Sequence, residues 1–173
     1  DVVINMLYKF TPLESYFGIN MMAVVGNRPH LLNLKDVLVH FIDHRREVVT
    51  RRTKYDLDKS EARAHILEGL RIAIDNIDEV VALIRASKTP PEAKESMIQR
   101  FDFSEVQAQA ILDMRLQRLT NLEHEKLVEE YNELVKKIKY LKSILEDDKV
   151  LMGVIRDETA QVKEQFATPR RTE

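Results

Sequence analysis

The sequence predicts a mainly α protein: a long antiparallel coiled-coil arm capped by a small helical dimerisation knob, with a short β element near the N-terminus. Three observations predict it. An apolar seam of unusual length begins at Leu34, a second regular seam follows Leu127, and the stretch between them is divided by three helix-start signals.

The elements follow in chain order. Val2, Val3, Met6 and Leu7 carry a helical pattern from the first residues. Ile19 to Val25, the turn Gly26-Asn27-Arg28-Pro29 and then His30-Leu31-Leu32 read as two short strands. Asn33 is placed as an N-cap, with Asp36 at the third helical position. Positions 34, 38, 41, 45, 48, 52, 55, 59, 62, 66, 70, 73, 77, 80 and 84 then step mostly by four and three, and most are apolar. Arg45, Arg52 and Lys59 interrupt this seam, which predicts a groove open to solvent, to acidic partners or to a polyanion. Gly69 lies inside the helix, where it costs about 1 kcal/mol relative to alanine, and so predicts close approach of another backbone.

Thr89-Pro90-Pro91-Glu92 restarts the chain with a threonine cap, proline at the first helical position and a glutamate placed for a capping box. Ser104-Glu105-Val106-Gln107 repeats the device, and Thr120-Asn121-Leu122-Glu123 repeats it again. Between them, Gln107 to Thr120 reads as a short helix that is apolar around most of its circumference, as an interface helix would be. Ala108, Ile111, Leu112 and Leu119 form one face, Ala110, Met114 and Leu116 the other, and Arg115 and Arg118 add polar character. One face is expected to pack on the knob and the other across a two-fold axis. From Leu127 the positions Tyr131, Leu134, Ile138, Leu141 and Leu145 descend without exception. The pattern resumes at Leu151, Ile155, Val162 and Phe166, giving a descending side of about 45 residues, or ~67 Å.

Composition narrows the function classes. The 173 residues are 44% hydrophobic, enough for a real core, and 32% charged with a net charge of only −2. Any nucleic-acid contact must therefore come from a local patch. The absence of cysteine excludes disulfides and thiolate chemistry, and fits a reducing cytoplasm. The longest apolar run, Met21 to Val25, falls far short of the roughly 18 residues of a membrane span. A helical pattern already under way at Val2, and an ending at Pro169 to Glu173, give the expectation of a piece of something larger.

Few residues are grouped for chemistry. His40 and His44 stand four apart with Glu47 a turn later, but the spacing is not that of the zinc proteases and solvated histidines account for it. His65 and His124 are isolated, no glycine-rich phosphate loop occurs, and Asp147-Asp148 reads as a solvated turn. The one notable cluster is Arg45, Arg46, Arg51, Arg52 and Lys54. It is either a face neutralised by Asp43, Asp56, Asp58 and Glu61, or a band for phosphate-backbone contact without base readout.

Five blocks carry a resemblance. FGINMMAVV (17–25), HRREVVTRRT (44–53), EARAHILEGLRIA (61–73), QAQAILDMRLQRLT (107–120) and the closing RRTE (170–173) resemble the A subunit of bacterial type IIA topoisomerases, DNA gyrase more than topoisomerase IV. The resemblance spans essentially the whole chain. It implies that 1–33 is the end of the tower domain, 34–74 the ascending coiled-coil helix, 75–121 the globular C-gate dimerisation knob and 122–173 the descending helices. It further implies a homodimer through the knob, with Ala108, Ile111, Leu112, Met114, Arg115, Leu116, Arg118 and Leu119 at the contact. Double-stranded DNA is the implied substrate, passed through a double-strand break in an A2B2 assembly in the bacterial cytoplasm. No cofactor belongs to this stretch; Mg2+ and ATP enter through the B subunit. The family's attacking tyrosine follows an arginine in an upstream winged-helix domain, and that dipeptide does not occur here. Tyr55 is assigned to the apolar seam instead, so no catalytic residue carries over and the fragment alone is expected to be inactive. A permanent antiparallel coiled-coil scaffold is the alternative from a different class.

Overall fold

A computed structural model describes residues 1–114 and 121–171. The described residues hold α1 (Val2–Phe10), β1 (Met21–Val25), β2 (Arg28–Leu32), α2 (Leu34–Asp75), α3 (Ile77–Ala86), α4 (Pro90–Phe101), α5 (Glu105–Leu112), α6 (Asn121–Glu146) and α7 (Asp148–Phe166). The mainly helical class with a short N-terminal hairpin is as expected. None of the described helices is long and apolar enough to cross a membrane. The chain divides into two compact units, Asp1–Arg45 and Arg46–Glu173.

In the first unit, β1 and β2 pair antiparallel with Met21 opposite Leu32 and Val25 opposite Arg28. The turn is shorter than the four residues expected. Gly26 and Asn27 alone make it, with φ of 57° and 64°, the positive values that a two-residue hairpin of this handedness requires. Pro29 is therefore a strand residue, opposite Val24, which a two-stranded ribbon tolerates because each strand has a free edge. Asn33 caps α2 as expected, accepting the Asp36 N–H at 2.9 Å. No residue of α1 is buried, and Phe10, Phe17, Val24 and Phe41 all lie exposed.

In the second unit, the buried line of α2 runs through Val49, Thr53, Ser60, Ala64, Leu67, Leu70 and Ala73. This is one residue out of phase with the predicted seam over most of its length. Thr53 is 3% exposed whereas Tyr55 is 66% exposed, so the tyrosine is not a packing residue, and Arg52 and Lys59 do not interrupt the core. Side-chain size explains the shift. Small side chains let a second helix come close, and Ser60 satisfies its hydroxyl by donating to the Asp56 carbonyl at 2.6 Å. The larger apolar residues on the neighbouring stripe misdirect a hydrophobicity-based reading.

Helix α6 runs antiparallel to α2. Leu127, near its start, joins Leu67 and Leu70 in one core, while Ile144, near its end, joins Val49 in another. Arg63 donates to both carboxylate oxygens of Glu130, at 2.8 and 3.1 Å, and Lys142 lies 2.7 Å from Glu61. The expected long descent stops there. Asp147 takes an extended backbone and accepts the Lys149 N–H at 2.8 Å, which ends α6 and starts α7. Along α7, Asp148 pairs with Arg46, Leu151 and Ile155 pack with Val49, and Glu158 pairs with Arg52. Both sets of numbers climb together, so this part of α7 runs in the same sense as α2. The descending side is α6 alone, about 39 Å rather than the ~67 Å expected. Val162 and Phe166 are exposed.

The phase of the core is directly testable. Thr53→Lys places an ammonium in a buried position and is expected to lower stability by about 3 kcal/mol, while Tyr55→Lys stays within about 0.5 kcal/mol. Urea denaturation of the two variants checks the difference, and equal losses would restore the predicted seam.

Candidate functional site

The knob is built from α3, α4 and α5 against the upper part of α2. Thr89 caps α4, accepting the Glu92 N–H at 3.4 Å, with Pro90 and Pro91 in the first turn, where no helical partner for an N–H is lost. The Glu92 carboxylate reaches back to the Lys88 N–H at 3.0 Å, one residue earlier than a capping box places it. Ser104 completes the box as expected: its hydroxyl accepts the Gln107 N–H at 3.2 Å, and its own N–H donates to Gln107 Oε1 at 2.9 Å. The third start signal, at Thr120, lies outside the described residues.

Between α4 and α5, Asp102 adopts a left-handed backbone that turns the chain, bringing the rings of Phe101 and Phe103 into a stack at 5.3 Å. Phe103, Met97 and Val80 then close over Leu67, Leu70 and Ala73 of α2. Into the same core α5 sends Ala108 and Ile111. These two expected contact residues therefore pack inside the chain's own core, and Leu112 and Met114 lie partly buried against it. Arg115, Leu116, Arg118 and Leu119 lie outside the described residues.

Helix α5 is also shorter than expected, ending at Leu112 rather than Thr120. Asp113 is a poor helix interior residue, and its carboxylate is drawn to the Gln109 side chain at 3.1 Å while Met114 N–H closes a tighter turn onto the Ile111 carbonyl. Outward from the core α5 presents Val106, Gln109 and Asp113, with Ala110 half-buried beside them. Val106 was not among the expected contacts, although the 106, 109, 110, 113 spacing marks a helical stripe. The stripe borders two open grooves. One, of about 410 Å³, is lined by Ile66, Lys94 and Val106; the other, of about 500 Å³, by Pro90, Pro91 and Leu112.

Residues 1–160 match the family model for the A subunit of DNA gyrase/topoisomerase IV. The chain belongs to that family. It is 64% identical over 173 residues to the DNA gyrase A subunit of Lawsonia intracellularis, covering 100% of this chain and 21% of that protein. It is 55% identical over 172 residues to the Clostridium acetobutylicum DNA gyrase A subunit, covering 99% and 21%, and 55% identical over 173 residues to a Staphylococcus aureus one, covering 100% and 20%. The chain thus spans about a fifth of the length of these gyrase relatives.

In this gyrase-family chain the basic residues are distributed unevenly. Arg45, the last residue of the first unit, is partly buried. Arg46 pairs with Asp148 at 3.1 Å and Arg52 with Glu158, so both tie α7 to α2. Arg51 lies 3.7 Å from Glu47 one turn away, and Lys54 is exposed. Higher up, a hydrogen bond from Lys142 to Glu61, reinforced by their opposite charges, raises the lysine above its ordinary 10.5. What that pair contributes is complete below this value and is lost as pH rises past the raised one.

His40 and His44 are exposed. No three His, Cys, Asp or Glu side chains are grouped to hold a metal ion among the described residues. His65 is not isolated, since its Nε2 lies 2.7 Å from Ser104 Oγ, and His124 Nε2 lies 3.6 Å from Asp75. The Arg46–Asp148 pair is largely solvated, so a double-mutant cycle with alanine should give a coupling of about 0.5 kcal/mol at low salt. In 1 M salt it should vanish; a coupling that persists there would mean that the pair is shielded from solvent.

Proposed function

We propose that this chain is the arm and exit gate of a DNA gyrase A subunit. In this reading 1–33 ends the tower, 34–74 rises as the arm, 75–121 is the dimerising C-gate, α6 returns to Glu146, and α7 turns back to run alongside α2. The observation that carries it is the outward stripe of α5, Val106, Gln109, Ala110 and Asp113, standing beside two grooves at the end of a helix pair. Two copies joined here across a two-fold axis enclose a space between their arms, which from Arg46 to Asp75 extend about 45 Å along the helix. A transported duplex leaves when the two knobs part and is held when they meet. The contact is small enough to open under load, because a single eight-residue helix supplies its centre.

The chemistry resides elsewhere in the assembly. The attacking tyrosine belongs to an upstream domain, and ATP and Mg2+ enter through the B subunit of an A2B2 enzyme acting on double-stranded DNA in the bacterial cytoplasm. The residues of this chain hold the broken ends in register mechanically, and alone it neither cleaves nor relaxes DNA. Arg45, Arg46, Arg51, Arg52 and Lys54 add weak, sequence-independent contact with the phosphate backbone, strongest at Arg51 and Lys54, where no carboxylate of α7 competes.

Val106→Asp and Ala110→Asp in the intact protein bury a carboxylate at the proposed contact and should weaken dimerisation through the knob by about 100-fold. Analytical ultracentrifugation at graded concentrations reads this. Cysteines paired across the same contact, in an otherwise cysteine-free stretch, should on oxidation leave DNA cleavage intact and stop strand-passage turnover. Turnover at the uncross-linked rate, with cross-linking complete, would leave the permanent scaffold as the better reading.

A further inference from the structure

A closely fitted polar contact among the described residues of the second unit joins α5 to α2. Gln107 is 6% exposed, and its side chain lies directly over Gly69. A Cβ on residue 69 would stand 2.7 Å from Gln107 Cγ, 2.9 Å from its Cβ and 3.0 Å from its Cδ. Glycine is required here by a side chain, not by the neighbouring backbone that the sequence led one to expect.

The amide of Gln107 does two things at once. Its Oε1 accepts the Ser104 N–H at 2.9 Å, which caps α5. Its Nε2 donates to the His65 carbonyl of α2 at 2.8 Å and lies 3.4 Å from His65 Nδ1. The imidazole returns to α5 through Nε2, 2.7 Å from Ser104 Oγ. A neutral ring carrying its proton on Nε2 satisfies both contacts, accepting at Nδ1 and donating to the hydroxyl. Capping alone does not ask for glutamine, because glutamate completes the same box. The amide N–H donor is needed only for the bond to α2.

We propose that Gln107, Ser104 and His65, seated in the slot left by Gly69, form a lock that fixes the rotation of α5 on the arm and so positions the outward gate stripe. The lock rests on the exit-gate reading above. Val106 precedes Gln107 by one residue and Ala110 follows it by three, so a helix pinned at 107 presents its 106–110 edge in one orientation. Motion of α2 is then passed to the gate surface as a rigid unit. Gln107 and His65 are positioning residues, and DNA cleavage does not depend on them.

The test uses the full-length gyrase protein. Gln107→Glu keeps the cap but turns a carboxylate oxygen towards the His65 carbonyl. His65→Ala, at an exposed position, removes only the ring contacts, and His65→Gln restores a donor towards Ser104. Exchange of protomers between two differently tagged populations, followed by native mass spectrometry, should speed up about tenfold in Gln107→Glu. It should rise less in His65→Ala and return towards wild type in His65→Gln, with far-UV circular dichroism and DNA cleavage in the presence of the B subunit unchanged. Wild-type exchange in both Gln107→Glu and His65→Ala, alongside fast exchange in Val106→Asp, overturns the lock and leaves the gate standing. Wild-type exchange in Val106→Asp as well overturns the gate, and the role of the lock with it.

Discussion

How closely α2 lets its neighbours approach governs the second unit. Along its buried line the side chains are short at Thr53, Ser60, Ala64, Gly69 and Ala73, with larger ones at Val49, Leu67 and Leu70 filling the spaces between. Short side chains bring α6 near enough for Glu130 and Lys142 to reach Arg63 and Glu61. Gly69 brings α5 nearer still, and its slot admits the glutamine that ties the knob down. The apolar core of the knob then needs no deep penetration. Met97, Phe103 and Ile111 close on a surface already set by α2.

Local chemistry was legible in the sequence and tertiary direction was not. The caps at Asn33, Thr89 and Ser104 are decided within four residues of chain, and each formed essentially where its residues predicted. The hairpin turn was placed to within two residues for the same reason. The phase of α2 misled, because burial there follows closeness of approach, and threonine and serine score low on any apolar scale while Tyr55 scores high. The sense of α7 was illegible. A stripe of Leu151 and Ile155 has the same period whichever way the helix runs, and only the partners Arg46 and Arg52, about a hundred residues earlier, show it.

The knob divided along the same line. That one face of α5 packs on the rest of the knob was visible, but its phase goes with the contact at Gln107, whose partners His65 and Gly69 lie on another helix. The basic cluster was visible as composition and ambiguous as function. Two of its arginines find carboxylates on α7, which no reading of α2 alone supplies.

The caps carry a consequence for how this architecture tolerates changes of length. Helices α4 and α5 each restart from their own local signal, so an extra residue between Ser87 and Lys88 is absorbed before the Thr89 cap and leaves the starts of both helices in place. The arm has no such restart. A residue inserted between Val49 and Leu67 turns everything beyond it by about 100° and carries the short-sided stripe away from α6. An insertion of a whole heptad matched on both helices would keep the stripe in phase, whereas the loop before α4 takes a single residue without that cost.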